Sequence, residues 1–291
     1  MTNHPLPNAV CIGASKCGTT SLHYYLHAHP QLGLPRSKEV HFFLDPGNWH
    51  RGEQWYRQQF PQGRVLVESF GGGYTHYPLQ KGVAQRMHEI LPHGKFIYMV
   101  RDPVERMISR YVHNVCAFIE EHEPAEAFSG DPLENLYTSE SLYFTQLRQF
   151  LELFDEDQFL IVDFNSFKNH RPETLRNIFK FLGVDEEFSS RDFEIVRHPS
   201  ARKRRKNATG VALNRYFGRY LLKTLEKLPL PMATQRALTH HTDQLMYWMF
   251  SKPMQRPQLE PALRSRLNDL FRPEVRQLEQ FAGRQFPDWL T

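Results

Sequence analysis

Residues 9–26, AVCIGASKCGTTSLHYYL, constrain the fold more than any other stretch of the chain. Ala9-Val10-Cys11-Ile12 is a short continuous apolar run, the pattern of a strand covered on both faces. It breaks at Gly13. From Thr20 the spacing becomes helical, with Leu22, Tyr25 and Leu26 on one face. A strand, a glycine turn and a helix in that order gather backbone N–H groups and a helix N-terminus around one point, which suits an anion. Thr19, Thr20 and Ser21 add hydroxyl donors there, and Lys16 adds a full positive charge.

The spacing is close to the phosphate-binding pattern G-x-x-x-x-G-K-[ST], with Gly13 and Gly18 in the glycine positions. Thr19 stands where that pattern has lysine, and the lysine has moved back to Lys16. A Mg²⁺-bound nucleoside triphosphate is therefore not the expected ligand. The plainer alternative is a strand–turn–helix carrying a solvated lysine.

Two further stretches bear on the same chemistry. One is Arg101-Asp102-Pro103-Val104-Glu105-Arg106 with Ser109 and Tyr111; the other is Lys38-Glu39-Val40-His41-Phe42-Phe43. The loop SKCGTTSL resembles the 5′-phosphosulfate loop of sulfotransferases that use 3′-phosphoadenosine 5′-phosphosulfate (PAPS). The Arg101 stretch is similar to that family's 3′-phosphate motif, R-D-P-x-x-R-x-x-S-x-Y. The Lys38 stretch resembles the K-E-x-H-F-F of its heparan-sulfate-type branch, and residues 270–290 look like the terminal helix of bacterial members.

The resemblance implies a PAPS-dependent sulfotransferase with no metal requirement. Ser15, Lys16, Cys17, Gly18, Thr19, Thr20 and Ser21 would hold the 5′-phosphosulfate, with Lys16 stabilising the leaving phosphate. Arg101 and Ser109 would hold the 3′-phosphate. For these two the plainer alternatives are an ion pair of Arg101 with Asp102 or Glu105, and a helix-surface serine. Glu39 would be the base that takes the acceptor's proton, assisted by His41. In an extended segment these two residues point the same way, although Lys38 can pair with Glu39 instead. Arg202, Lys203 and Arg204 sit where the family places a late cofactor-binding loop. One departure concerns the acceptor. The heparan-type context E-K-[ST]-P reads Glu68-Ser69-Phe70-Gly71 here, so a lysine is missing; His76 is near enough to be a substitute.

Composition excludes little. The 291 residues carry a formal net charge of +4, which suits a polyanionic ligand without requiring one. The three cysteines, Cys11, Cys17 and Cys116, have neither disulfide-framework nor metal-ligand spacing. Cys17 is either oxidation-sensitive or simply a small residue filling the turn. No apolar run approaches the roughly 20 residues needed to cross a bilayer, and no signal peptide precedes the first strand, so a cytoplasmic enzyme is expected.

Apolar strands are expected near residues 9–12, 32–34, 65–67, 96–100 and 159–162, with helices near 77–91, 103–118, 142–154 and 172–182 between and after them. A surface helix is expected within 49–60, and a mobile acidic loop over 120–132. Strands alternating with amphipathic helices imply an α/β fold, a doubly wound parallel sheet with ligands beyond the strands' carboxyl ends. The chain reads as one sulfotransferase domain, residues 1–291, with an α/β core to about residue 196. A basic loop and a helical C-terminal extension follow, with helices at about 213–228, 235–250 and 261–281. The acceptor is a small molecule, a glycan or a lipid, bearing a hydroxyl or in second place an amine. The basic helices suit a peripheral contact with anionic membrane; no nucleic acid and no obligate protein partner are expected. A small-molecule kinase and a non-catalytic nucleotide- or polyanion-binding protein are the competing readings.

Overall fold

A computed structural model of the chain describes residues 4–62, 64–69, 72–195, 204–206 and 251–291. Two compact units are formed. The first comprises Met1–Arg110, Glu123–His198 and Gln258–Thr291, and the second Tyr111–His122 and Pro199–Pro257.

The first unit is built on a five-stranded sheet. Its strands are β1 (Ala9–Gly13), β2 (Leu32–Gly33), β3 (Val65–Ser69), β4 (Lys95–Val100) and β5 (Phe159–Asp163). They lie in the order β2-β3-β1-β4-β5, and every pairing is parallel. This is the doubly wound sheet expected from the alternation of strands and helices. The chain builds β2 and β3 to one side of β1, then returns to build β4 and β5 on the other. The direction reverses between β1 and β4, and ligands of such sheets sit at the carboxyl ends of the strands at that reversal. All of β1 is buried, as a central strand covered on both faces must be.

The helices are α1 (Thr19–Ala28), α2 (Gly52–Arg57), α3 (Val83–Ile90), α4 (Pro103–Cys116), α5 (Pro124–Ala127), α6 (Leu136–Ser139), α7 (Tyr143–Leu151), α8 (Phe164–Asn169), α9 (Arg171–Leu182) and α10 (Pro261–Ala282). Helix α9 stops at Gly183, whose φ of 76° is the left-handed stop expected there. Helix α10 packs on α7 within the first unit, where Glu274 accepts from the backbone N–H of Thr145 at 2.8 Å and from its hydroxyl at 2.6 Å.

Several expectations change. The helix expected over residues 77–91 begins only at Val83, because Gly82 takes φ 73° and breaks the path before it. Residues 49–60 are not merely surface: Tyr56 is fully buried and Phe60 nearly so, and both belong to the core. Residues 120–132 carry the short helix α5, with Phe128 buried behind it. In the second unit, Arg204–Lys206 forms a strand (β6) antiparallel to Ser251–Pro253 (β7), where a basic loop is expected. Arg202, Lys203, Gly71 and the helices expected at 213–228 and 235–250 lie outside the described residues.

Candidate active site

The loop after β1 is shaped by its glycines. Register between β1 and β4 slips between Cys11 and Gly13, and the Ala14 N–H then donates to the Met99 carbonyl at 2.7 Å. A Cβ on Gly13 would meet the Thr75 hydroxyl oxygen at 2.4 Å, and φ there is +144°. Gly18 has φ +89° and faces the Phe164 ring, 3.1 Å from where a Cβ would sit. Lys16 between them is also left-handed, at φ 69°. Left-handed Lys16 and Gly18 curl the loop over the start of α1. Among the described residues no side chain caps that helix, and its first turn holds no acidic residue. Its leading N–H groups therefore remain for an anion. The residues fit a phosphosulfate for this reason.

The side chains of the loop divide by depth. Ser15, Cys17, Thr19 and Ser21 are buried; Lys16, Gly18 and Thr20 are partly exposed. The Cys17 thiol is pushed up to about 11, chiefly by burial, and is fully covered. It is a packing residue rather than a reactive thiol.

Beneath the loop lies a charged cluster that sequence reasoning missed. The Ser15 hydroxyl donates to Glu140 Oε2 at 2.7 Å. Arg106, with no exposed surface, donates to the same oxygen, to the Tyr137 carbonyl, and to the Ser141 hydroxyl at 2.6 Å. His76 Nε2 abuts Glu140 Oε1. Helix α6 sets these groups in place: Asn135 caps its first N–H groups, and Tyr137, Glu140 and Ser141 follow on the side facing Arg106. Arg106 and His76 hold the Glu140 carboxyl below its usual range although burial opposes ionisation. Burial lowers the His76 pKa despite the adjacent carboxylate. The directions of both shifts fit a Glu140–Arg106 ion pair with a neutral His76 ring beside the other carboxyl oxygen. His76 is thus committed to Glu140 and does not take the place of the missing lysine. Arg106 lies inside the R-D-P-x-x-R motif, so a signal existed for it; Glu140 carried none.

The second loop follows β4. Asp102 Oδ1 accepts the Glu105 N–H at 2.7 Å, capping α4, and Oδ2 accepts the Leu290 N–H at 2.7 Å. The C-terminal stretch is thereby tied to the motif. Asp102 is thus not paired with Arg101. The Arg101 guanidinium lies over the Phe164 ring at 4.8 Å, with Glu105 at 3.8 Å. Glu105 is held more closely by Arg264, at 2.9 Å. Ser109 is buried, so it is not a helix-surface serine. The Tyr143 hydroxyl joins the two loops: it accepts from the Arg101 N–H at 3.3 Å and lies 3.7 Å from Cys17 Sγ.

The Lys38–Phe43 segment is irregular, with a turn at Phe42–Phe43 and His41 in the left-handed region at φ 53°. Glu39 and His41 still share one side, with His41 Nε2 3.7 Å from Glu39 Oε2, and both side chains are nearly half exposed. Lys38 Nζ lies 3.2 Å from Glu39 Oε1, so both of the expected neighbours attend the carboxylate. Val40, Phe42 and Phe43 point inward and are buried.

Glu68, the last residue but one of β3, is fully buried and accepts hydrogen bonds from Tyr56 and, at 2.8 Å, from Tyr74. Burial raises its pKa from 4.5 to about 7, against the pull of the two phenols. The folded value lies above the unfolded one, so this contribution to stability is full below about pH 4.5 and lost as pH rises through about 7. The difference corresponds to roughly 3 kcal/mol at most. Denaturant titration of Glu68→Gln beside the wild type should show the wild type losing stability relative to the variant between pH 5 and 8. Parallel curves would contradict a buried, titrating Glu68.

Among the described residues no cluster of three or more His, Cys, Asp and Glu could hold a metal ion, and no helix is long and apolar enough to cross a membrane.

Comparison with known proteins agrees with this geometry. The family model described as "Sulfotransferase domain" matches residues 6–212, more than half of the chain. A solved sulfotransferase from Alicyclobacillus acidocaldarius superposes with a TM-score of 0.65 at 25% identity, covering 99% of this chain and 100% of that one. The chain is 29% identical over 196 residues to the bifunctional heparan sulfate N-deacetylase/N-sulfotransferase 2 of Bos taurus, covering 62% of this chain and 22% of that protein. It is 28% identical over 196 residues to the heparan sulfate glucosamine 3-O-sulfotransferase 5 of Mus musculus, covering 63% and 55%. The chain thus spans about a fifth to about half of the length of these two relatives. A parallel sheet reversing between β1 and β4, a curled lysine-bearing loop at one strand end and an R-D-P motif at the next accord with the matched model: the chain belongs to the sulfotransferase family.

Proposed function

We propose that the chain moves a sulfuryl group from PAPS to an acceptor hydroxyl, or in second place an amine. The observation that carries this reading is the placement of the Gly13–Ser21 and Arg101–Ser109 segments at neighbouring strand ends, joined through Tyr143. PAPS supplies the activated sulfuryl group and leaves as 3′-phosphoadenosine 5′-phosphate (PAP).

The chain's own residues do the rest by positioning and charge, as in phosphoryl transfer. The N-terminus of α1, with Thr19, Thr20 and Ser21, holds the 5′-phosphosulfate. Lys16 meets the negative charge that grows on the oxygen leaving sulfur. Arg101 and Ser109 hold the 3′-phosphate. Glu39 takes the acceptor's proton as its oxygen bonds to sulfur, and His41, 3.7 Å away, steadies the carboxyl. The relatives named for heparan sulfate favour a glycan acceptor over a lipid or another small molecule.

Glu39→Gln tests the base. With a glucosamine-containing heparosan oligosaccharide as acceptor, kcat should fall by about 10²–10⁴, the range of general-base contributions, while PAP affinity stays unchanged. Full turnover by the variant would assign the base elsewhere.

A further inference from the structure

Glu39 and His41 are nearly half exposed, on a segment with no regular hydrogen-bond ladder of its own. A base on such a segment works only if something else fixes its backbone. Four contacts do so. The Asn48 side chain donates to the Val40 carbonyl at 2.7 Å, and the Asn48 N–H to the His41 carbonyl at 3.0 Å. Arg86 Nε donates to the Phe43 carbonyl at 2.8 Å. The Phe43 N–H donates to the Tyr74 hydroxyl at 3.4 Å. The rings repeat the pattern, with Phe42 stacked on Tyr56 at 4.1 Å and Phe43 edge-on to Tyr74 at 5.7 Å.

The Tyr74 contact depends on a group further down. A phenol can donate one hydrogen and accept others. Glu68 takes the Tyr74 hydrogen at 2.8 Å, which leaves the phenol's lone pairs for Phe43. The orientation of Tyr74 is therefore set by Glu68. The second oxygen of Glu68 is taken by Tyr56, which completes the buried carboxyl's bonding but makes no hydrogen bond to the backbone of residues 38–43 among those described.

We propose that Glu68, acting through the Tyr74 hydroxyl, is the positioning residue for the Glu39/His41 pair. The carboxyl on β3 orients Tyr74, Tyr74 holds Phe43, and the segment through left-handed His41 then presents the pair on one side. The proposal rests on the sulfuryl-transfer reading, with Glu39 as the base. It also gives Glu68 a task unrelated to the lysine that this chain lacks beside it.

Paired variants separate positioning from simple support of the fold. Tyr74→Phe and Tyr56→Phe each remove one phenol from the same buried carboxyl while keeping the ring. Their losses of thermal stability should be alike. Their kinetics should differ: Tyr74→Phe lowers kcat about 10–100-fold, as a small misplacement near the chemistry does, and Tyr56→Phe lowers it no more than about threefold, on that scale. The KM for PAPS should stay within about twofold in both, since both phenol hydrogens go to Glu68 rather than to the Gly13–Ser21 loop. Amide exchange read by mass spectrometry should be faster over residues 38–44 in Tyr74→Phe only. Equal kcat losses in the two variants, or an unchanged kcat in Tyr74→Phe, would overturn the proposal. If the wild-type chain turns over no PAPS with the heparosan oligosaccharide, the sulfotransferase reading is what fails. The exchange of residues 38–44 then still decides: unchanged exchange in Tyr74→Phe overturns the positioning claim, and faster exchange in that variant alone supports it.

Discussion

Replacing Lys16 with alanine is expected to lower kcat by about 10²–10³, the loss seen when one preorganised charge or donor is taken from a developing oxyanion. The affinity for PAP should change by less than about tenfold. The asymmetry follows from the loop. Backbone N–H groups and the uncapped start of α1 hold the phosphate whether or not the lysine is there. The ammonium adds most where charge is growing, on the oxygen that leaves sulfur. Alanine also tolerates the left-handed conformation at position 16 about as poorly as lysine, so the backbone penalty largely cancels. Stopped-flow or steady-state release of PAP gives kcat, and calorimetry gives the affinity. A large loss of PAP affinity with kcat intact would make Lys16 a phosphate contact only.

Arg106→Ala is expected to give the largest loss of stability. Removing one member of a buried ion pair typically costs about 3–5 kcal/mol, because the other charge stays buried without a partner. For a chain of this size that is a fall in Tm on the order of 10 °C. The Glu140 carboxylate would be left with Ser15 and a neutral His76, and the Tyr137 carbonyl and Ser141 hydroxyl would each lose a donor. The double variant Arg106→Met/Glu140→Leu should recover much of the stability, since well-packed apolar groups often replace a buried pair without loss. It should nevertheless weaken PAP binding, because Ser15 then loses the acceptor that fixes it under the loop. Recovered stability with wild-type PAP affinity would show that the pair only fills space.

The sequence made the anion loop legible because its elements are local. A strand, two glycines and a helix lie within 18 residues, and the chemistry of each residue type limits what the turn can do. The parallel sheet was legible for the same reason, as apolar runs alternating with amphipathic helices. The misreadings came where local rules meet exceptions. Alternation along a strand placed Glu39 and His41 together, and they are together, but through a left-handed conformation at His41 that the alternation rule does not contain. The helix expected from about residue 77 starts only at Val83, after Gly82 in its left-handed conformation. Tyr56 and Phe60 lie in a segment with too few turns for an apolar face to stand out. The Arg106–Glu140 pair is 34 residues apart and polar on both sides, so no periodicity marks it. Glu68 was noticed for the lysine missing beside it rather than for its burial between two phenols.

Isothermal titration with PAP, in buffer without magnesium, tests the central claim most directly. The wild-type chain should bind PAP in the micromolar range, and Arg101→Ala should weaken that binding by about tenfold or more, as expected when a charge-assisted contact is lost. Absence of PAP binding, or preferential binding of ATP with magnesium, would contradict the claim that the β1 and β4 strand ends form a PAPS site.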